Sequence, residues 1–169
     1  QMHENQYPLI NALKELNYKV PKEFLFSSEA ALGSQLRRCF ERYEIDLNEV
    51  ASLKKDIDKL DISIDRITLE HIATERITDL SSKLLRQPAD MDTLDSCINY
   101  LRAARLAGLQ PDIWQAQNTC FIIYQNYYPE QLSGLEKEDK QSSETWVKQF
   151  QELVQLMHIN ISDMMQIAE

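Results

Sequence analysis

Apolar residues recur along nearly the whole chain at steps of three and four, the spacing that lines one side of an α-helix. Leu47, Val50, Leu53, Ile57 and Leu60 make the cleanest case and predict a helix that Asp46 caps and that runs to Leu60. Leu9, Ile10, Leu13 and Leu16 predict an earlier helix over Pro8 to Leu16. Phe24, Leu25, Ala31, Leu32, Leu36 and Phe40 predict a second from Lys22 to about Glu44, with Gly33 as its weak point. Ile67, Ile72, Ile77, Leu80, Leu84 and Leu85 describe a long helix from about Arg66 to Arg86. Leu94, Cys97, Ile98, Leu101 and Ala104 describe the next, capped by Asp90 or Asp92 and stopped at Gly108.

The segment from Asp112 to Tyr127 is apolar on most sides, which predicts a central helix. Trp146, Val147, Phe150, Leu153, Val154 and Met157 predict the last long one, capped by Ser142 or Ser143. Asn160 and Ser162-Asp163 offer a further cap, for a short turn carrying Met164, Met165 and Ile167.

Pro8, Pro21, Pro88, Pro111 and Pro129 all fall between these runs, where proline starts a helix or forbids its continuation. Asp61 to Asp65 alternates polar with apolar residues, but an isolated short strand has no partner, so it reads as a connector. Pro129 to Gln141 reads as a polar loop. Three glycines and five prolines are too few for the turns of an all-β fold. No period of about 20 to 50 residues repeats, which argues against a solenoid. The expected fold is all-α, a single bundle of about six to eight helices over residues 1–169.

Charge narrows the partners. At a net charge of -9, with Arg37-Arg38 and Lys54-Lys55 as the only basic doublets, the chain lacks the cationic face that nucleic acid or an anionic membrane requires. Cys39, Cys97 and Cys120 are widely separated and odd in number, which fits a reducing compartment, and the cytoplasm is the expected location. No window has the apolar length of a membrane span. A chain that opens on Gln1 is expected to be a piece of a longer protein.

Candidate chemistry is sparse. His71 and Glu75 stand four apart, but the second histidine of a zinc-binding helix is absent, so a surface pair is the expectation. No glycine-rich elbow accompanies any cysteine. The carboxylate groups Glu41/Glu44, Asp56/Asp58/Asp61 and Glu136/Glu138/Asp139 lie in charge-mixed segments that read as solvated faces. No catalytic residue, cofactor or metal ligand is therefore nominated. The residues singled out are Trp114, Gln117, Asn118, Phe121 and Tyr128, a structural or binding cluster. Gln117 and Asn118 are amides among bulky apolar neighbours and must find partners, on backbone carbonyls or on a ligand. Trp114 and Phe121 are expected in the core, and Tyr127-Tyr128-Pro129 nearer the surface, although flat rings also stack on sugars. Just upstream, Gly108 is expected past a helix end, with Asp112 capping the next helix.

Two stretches carry a family resemblance. Leu9-Ile10-Asn11-Ala12-Leu13-Lys14-Glu15-Leu16-Asn17-Tyr18-Lys19-Val20-Pro21 and Leu109-Gln110-Pro111-Asp112-Ile113-Trp114-Gln115-Ala116-Gln117-Asn118, with the helical stretches between them, resemble the domain of unknown function that follows the catalytic barrel in some bacterial family-57 glycoside hydrolases. The resemblance implies a helical accessory domain attached to an enzyme acting on α-glucan or a related carbohydrate. The catalytic Glu and Asp of such an enzyme would lie upstream, and the expected partner is the upstream catalytic domain of the same chain. A helical protein-interaction domain and an independent enzyme are the other classes open at this point.

Overall fold

The computed structural model describes residue 12, residues 22–134 and residues 140–158, and its helices follow the apolar stripes. In order they are α1 (Lys22–Glu41), α2 (Leu47–Leu60), α3 (Arg66–Arg86), α4 (Met91–Leu106), α5 (Trp114–Asn126), α6 (Tyr128–Gly134) and α7 (Lys140–Leu156). Among the described residues the fold is an all-α arrangement of seven helices with no strand. Of the helix expected over Pro8 to Leu16 only Ala12 is described, and it is helical and exposed; the turn expected around Met164 lies outside the described residues.

Three aspartates begin helices in the same way. Asp46 accepts hydrogen bonds from the Asn48 and Glu49 backbone N–H groups, Asp65 from Thr68 N and Oγ1, and Asp90 from Thr93 N and Oγ1. Asp90, not Asp92, caps α4. The two Asp-x-x-Thr pairs add a short hydroxyl donation of 2.6 Å each. That bond, ahead of the backbone one, holds the Asp65 and Asp90 carboxyls below the ordinary aspartate pKa. Asp61 to Asp65 is a connector, as expected, with Asp61 in the left-handed region at φ 54° and Ile62 and Ile64 tucked against the core.

The central helix is α4, not α5. Leu94, Cys97, Tyr100 and Ala103 are wholly buried, and α4 packs against α2, α3 and α7. Only Ala116, Thr119, Cys120 and Ile123 are buried on α5, which rests on α3 and α6 at the side of the bundle. Its apolar residues on most sides suggested a central place, but Trp114 and Ile122 among them face outward.

Helix α1 runs through Gly33 without a break and stops at Glu41, short of Glu44. Its end is fixed from outside: Arg76 Nη2 donates to the Glu41 carbonyl at 2.8 Å, and the buried Tyr100 hydroxyl lies against the carbonyls of Phe40 and Arg42. The expected loop after Pro129 is in its first part the short helix α6. Proline is compatible with a first helical turn because its missing N–H has no partner to lose there. Helix α7 begins at Lys140, and Ser143 is a buried residue within it instead of its cap. An added methyl on Gly134 would run into Ser143 Oγ, so α6 and α7 approach closely there.

Candidate functional site

The turn between α4 and α5 is built from sequence-local and distant bonds together. Gly108, at φ 70°, ends α4 with Leu109 N donating to Ala104 O at 2.9 Å and Gly108 N to Arg105 O at 3.1 Å. These are the paired bonds of a left-handed helix stop. Helix α3 then clamps the connection from the side. Arg66 Nη2 donates to the Gly108 carbonyl at 2.8 Å, Glu70 Oε1 accepts from Gln110 N at 2.9 Å, and Thr74 Oγ1 accepts from Asp112 N at 2.9 Å. Arg66, Glu70 and Thr74 stand four residues apart, so one row of α3 carries all three. Sequence reasoning missed this clamp, and the i, i+4, i+8 spacing of polar residues on α3 was its available signal.

Asp112 caps from one residue further out than expected. Its Oδ1 accepts from Trp114 N at 3.1 Å, while Ile113 occupies the cap position and gives no side-chain bond. Trp114 follows as the first residue of α5.

Trp114 is not in the core: it is 69% exposed. At about 100° per residue, the buried residues Ala116, Thr119, Cys120 and Ile123 centre on the side of α5 opposite Trp114. Position on the helix, not hydrophobicity, decides its exposure. Asn118 and Gln125 share this outer face and are exposed, Ile122 is exposed at its margin, and Phe121 is half-buried beside it.

The other two cluster members lie elsewhere. Gln117 is half-buried and its Nε2 donates to the Met157 carbonyl at 2.8 Å, tying α5 to the end of α7. Tyr128, expected near the surface, is buried because the chain turns directly into α6. Its ring stacks on Tyr124 at 4.9 Å between centroids, lies 5.9 Å from that of Phe150, and its hydroxyl accepts from Gln151 Nε2 at 2.9 Å. Tyr127 is half-buried, packed edge-on to Trp146. The structure therefore brings Trp114, Asn118 and Phe121 to one face and gives Gln117 and Tyr128 to packing.

No charged residue occurs from Ile113 to Pro129 in a chain that is 27% charged overall. Trp114, Gln115, Asn118, Ile122, Gln125, Asn126 and Pro129 are nonetheless exposed, so burial does not explain the missing charges. The outer face of α5 is a neutral surface of one indole, aliphatic carbon and planar amides.

Elsewhere the chemistry is quiet. His71 and Glu75 form an exposed pair at 3.5 Å, and no group of three metal-ligating side chains occurs among the described residues. Cys39, Cys97 and Cys120 are free and buried. Burial is the first cause that pushes their thiols up, Cys39 to about 11, Cys97 to about 12 and Cys120 in the same direction. A thiol of this kind holds too little thiolate at neutral pH to serve as a nucleophile. No described helix is long and apolar enough to cross a membrane.

No family model matches the chain, and no curated protein or solved structure was found to be similar to it.

Proposed function

We propose that this chain is a helical accessory domain that docks through the outer face of α5 against the upstream catalytic barrel of a family-57-type glycoside hydrolase, in the bacterial cytoplasm, and supports that barrel. The observation that carries the docking is the exposed Trp114 on a helix face stripped of charge. Centres of protein interfaces are depleted in Lys, Glu and Asp and enriched in aromatic rings, and tryptophan is prominent among residues whose truncation costs most binding energy. The clamp from α3 supports the same reading, because a fixed backbone presents Trp114 with little left to order on binding. The barrel as partner rests on the family resemblance of residues 9–21 and 109–118.

A second reading has its own support. An exposed indole flanked by Gln115 and Asn118 also offers what a neutral glycan needs, a flat apolar surface beside planar donors and acceptors.

Hydrogen exchange separates the two. In the full-length protein, amides of the α5 outer face are expected to be better protected than in the isolated domain, and Trp114→Ala is expected to return them to the isolated level. Equal protection in both would overturn barrel docking. Protection of the isolated domain by a neutral oligosaccharide would favour the glycan.

A further inference from the structure

Helices α4 and α7 end beside one another around a cleft of about 470 Å³. Each end uses a left-handed residue, Gly108 at φ 70° and His158 at φ 56°. Leu101, Leu109, Ile113 and Leu156 furnish an apolar wall, and among the described residues the only ionisable side chains lining the cleft are Arg105 and His158. Arg105 Nη2 lies 3.4 Å from His158 Nε2. A guanidinium has no lone pair to offer, so the imidazole nitrogen is the acceptor in this contact. That bond steadies the guanidinium and leaves most of its N–H fork free.

The setting is unusual for a chain of net charge -9. Among the described residues no carboxylate lines the cleft, and none lies within ion-pair distance of Arg105. Several of the carbonyls that two helix C-termini would otherwise turn toward a cation are already engaged. Ala104 O accepts from Leu109 N, Arg105 O from Gly108 N, Gly108 O from Arg66 and Met157 O from Gln117. The negative helix ends are thereby partly satisfied, and among the described residues no carboxylate offsets the guanidinium in the cleft.

We propose that this cleft binds a small organic anion, a monocarboxylate with a short alkyl or aryl body. The carboxylate takes the free fork of Arg105, which His158 positions, and the body lies along the wall formed by Leu101, Leu109, Ile113 and Leu156. A planar carboxylate matches two parallel N–H groups of a guanidinium, and a few placed polar groups over an apolar lining are what small-molecule sites of this size present. The inference is independent of the docking face, which lies on the outer side of α5.

Calorimetric titration of the protein with octanoate, octanamide and inorganic phosphate tests it. Octanoate is expected to bind one per chain, and Arg105→Gln, at an exposed position, to weaken it by about tenfold or more, the loss of a charge-assisted bond. Amide shifts at Gly108 and His158 are expected to accompany binding. No heat with octanoate would overturn the proposal, as would equal affinity for octanamide or an Arg105→Gln variant that binds unchanged. Phosphate binding as tightly as octanoate would show that the apolar wall contributes nothing, and would overturn it as well.

Discussion

The Trp146 indole N–H donates to the Pro88 carbonyl at 2.7 Å, joining α7 to the connection between α3 and α4. The same ring stacks on Phe150 at 4.8 Å between centroids and is 2% exposed, so Trp146 is the core tryptophan and Trp114 the surface one. Trp146→Ala is expected to cost about 3 to 5 kcal/mol. Trp146→Phe keeps a ring but leaves the carbonyl without its donor, at about 1 to 3 kcal/mol. Trp114→Ala is expected to stay within about 0.5 kcal/mol of wild type. Urea denaturation of the three variants checks the order, and a large loss for Trp114→Ala would contradict the exposed placement.

Two glycines respond in opposite directions. A Cβ at Gly33 meets no heavy atom within 4 Å, and the residue lies inside α1, so Gly33→Ala is expected to stabilise by up to about 1 kcal/mol. At Gly108 space is also available, but φ 70° penalises any side chain, and Gly108→Ala is expected to cost about 1 to 2 kcal/mol. Thermal melts of the two variants are expected to shift to opposite sides of the wild type.

Acid sensitivity follows from the aspartate caps. Asp65 and Asp90 titrate below their ordinary value of 3.8 in the folded chain, first through the threonine hydroxyl bonds. Their contribution is fully present above that value and is lost as pH falls through the lower folded pKa. Replacing both with Asn, which still offers a capping oxygen but does not titrate, is expected to flatten the fall in melting temperature below about pH 4. Asp95 behaves inversely. Although Asp95 is exposed, partial desolvation, then Asp92 and Glu152, raise its pKa, so its ionised form is a mild burden at neutral pH that is relieved as pH falls through the raised value. Asp95→Asn is expected to raise the melting temperature at pH 7, with the gain shrinking toward acid.

The three thiols are expected to ignore an aromatic disulfide reagent in the native protein at pH 7.5 and to react together once denaturant unfolds the core. Cys39, Cys97 and Cys120 are each no more than 1% exposed, and burial disfavours their thiolates. Rapid labelling of any of them in the native state would show that the core opens locally.

The helices were legible because each must hide a stripe, and stripes such as Val50, Leu53, Ile57 and Leu60 are written at fixed spacing. Gly108 and the caps at Asp46 and Asp90 were legible for the same reason: their bonds reach only a few residues. The end of α1 was not, because Arg76 and Tyr100 set it from far along the chain. Trp114 and Trp146 differ in exposure because of which way each helix faces, and that depends on neighbours no local pattern names. Of the candidate cluster, composition found a special helix but could not divide Trp114, Asn118 and Phe121 from Gln117 and Tyr128.

The row Arg66, Glu70 and Thr74 has a consequence for how this molecule can change. The residues that present the α5 surface and those that aim it belong to different helices. A substitution at Thr74 removes the acceptor for Asp112 N and can reorient the indole while leaving every residue of that surface unchanged. If the α5 face docks as proposed, recognition is separable from foldedness, and a variant with an intact melting curve that no longer docks would carry its lesion on α3.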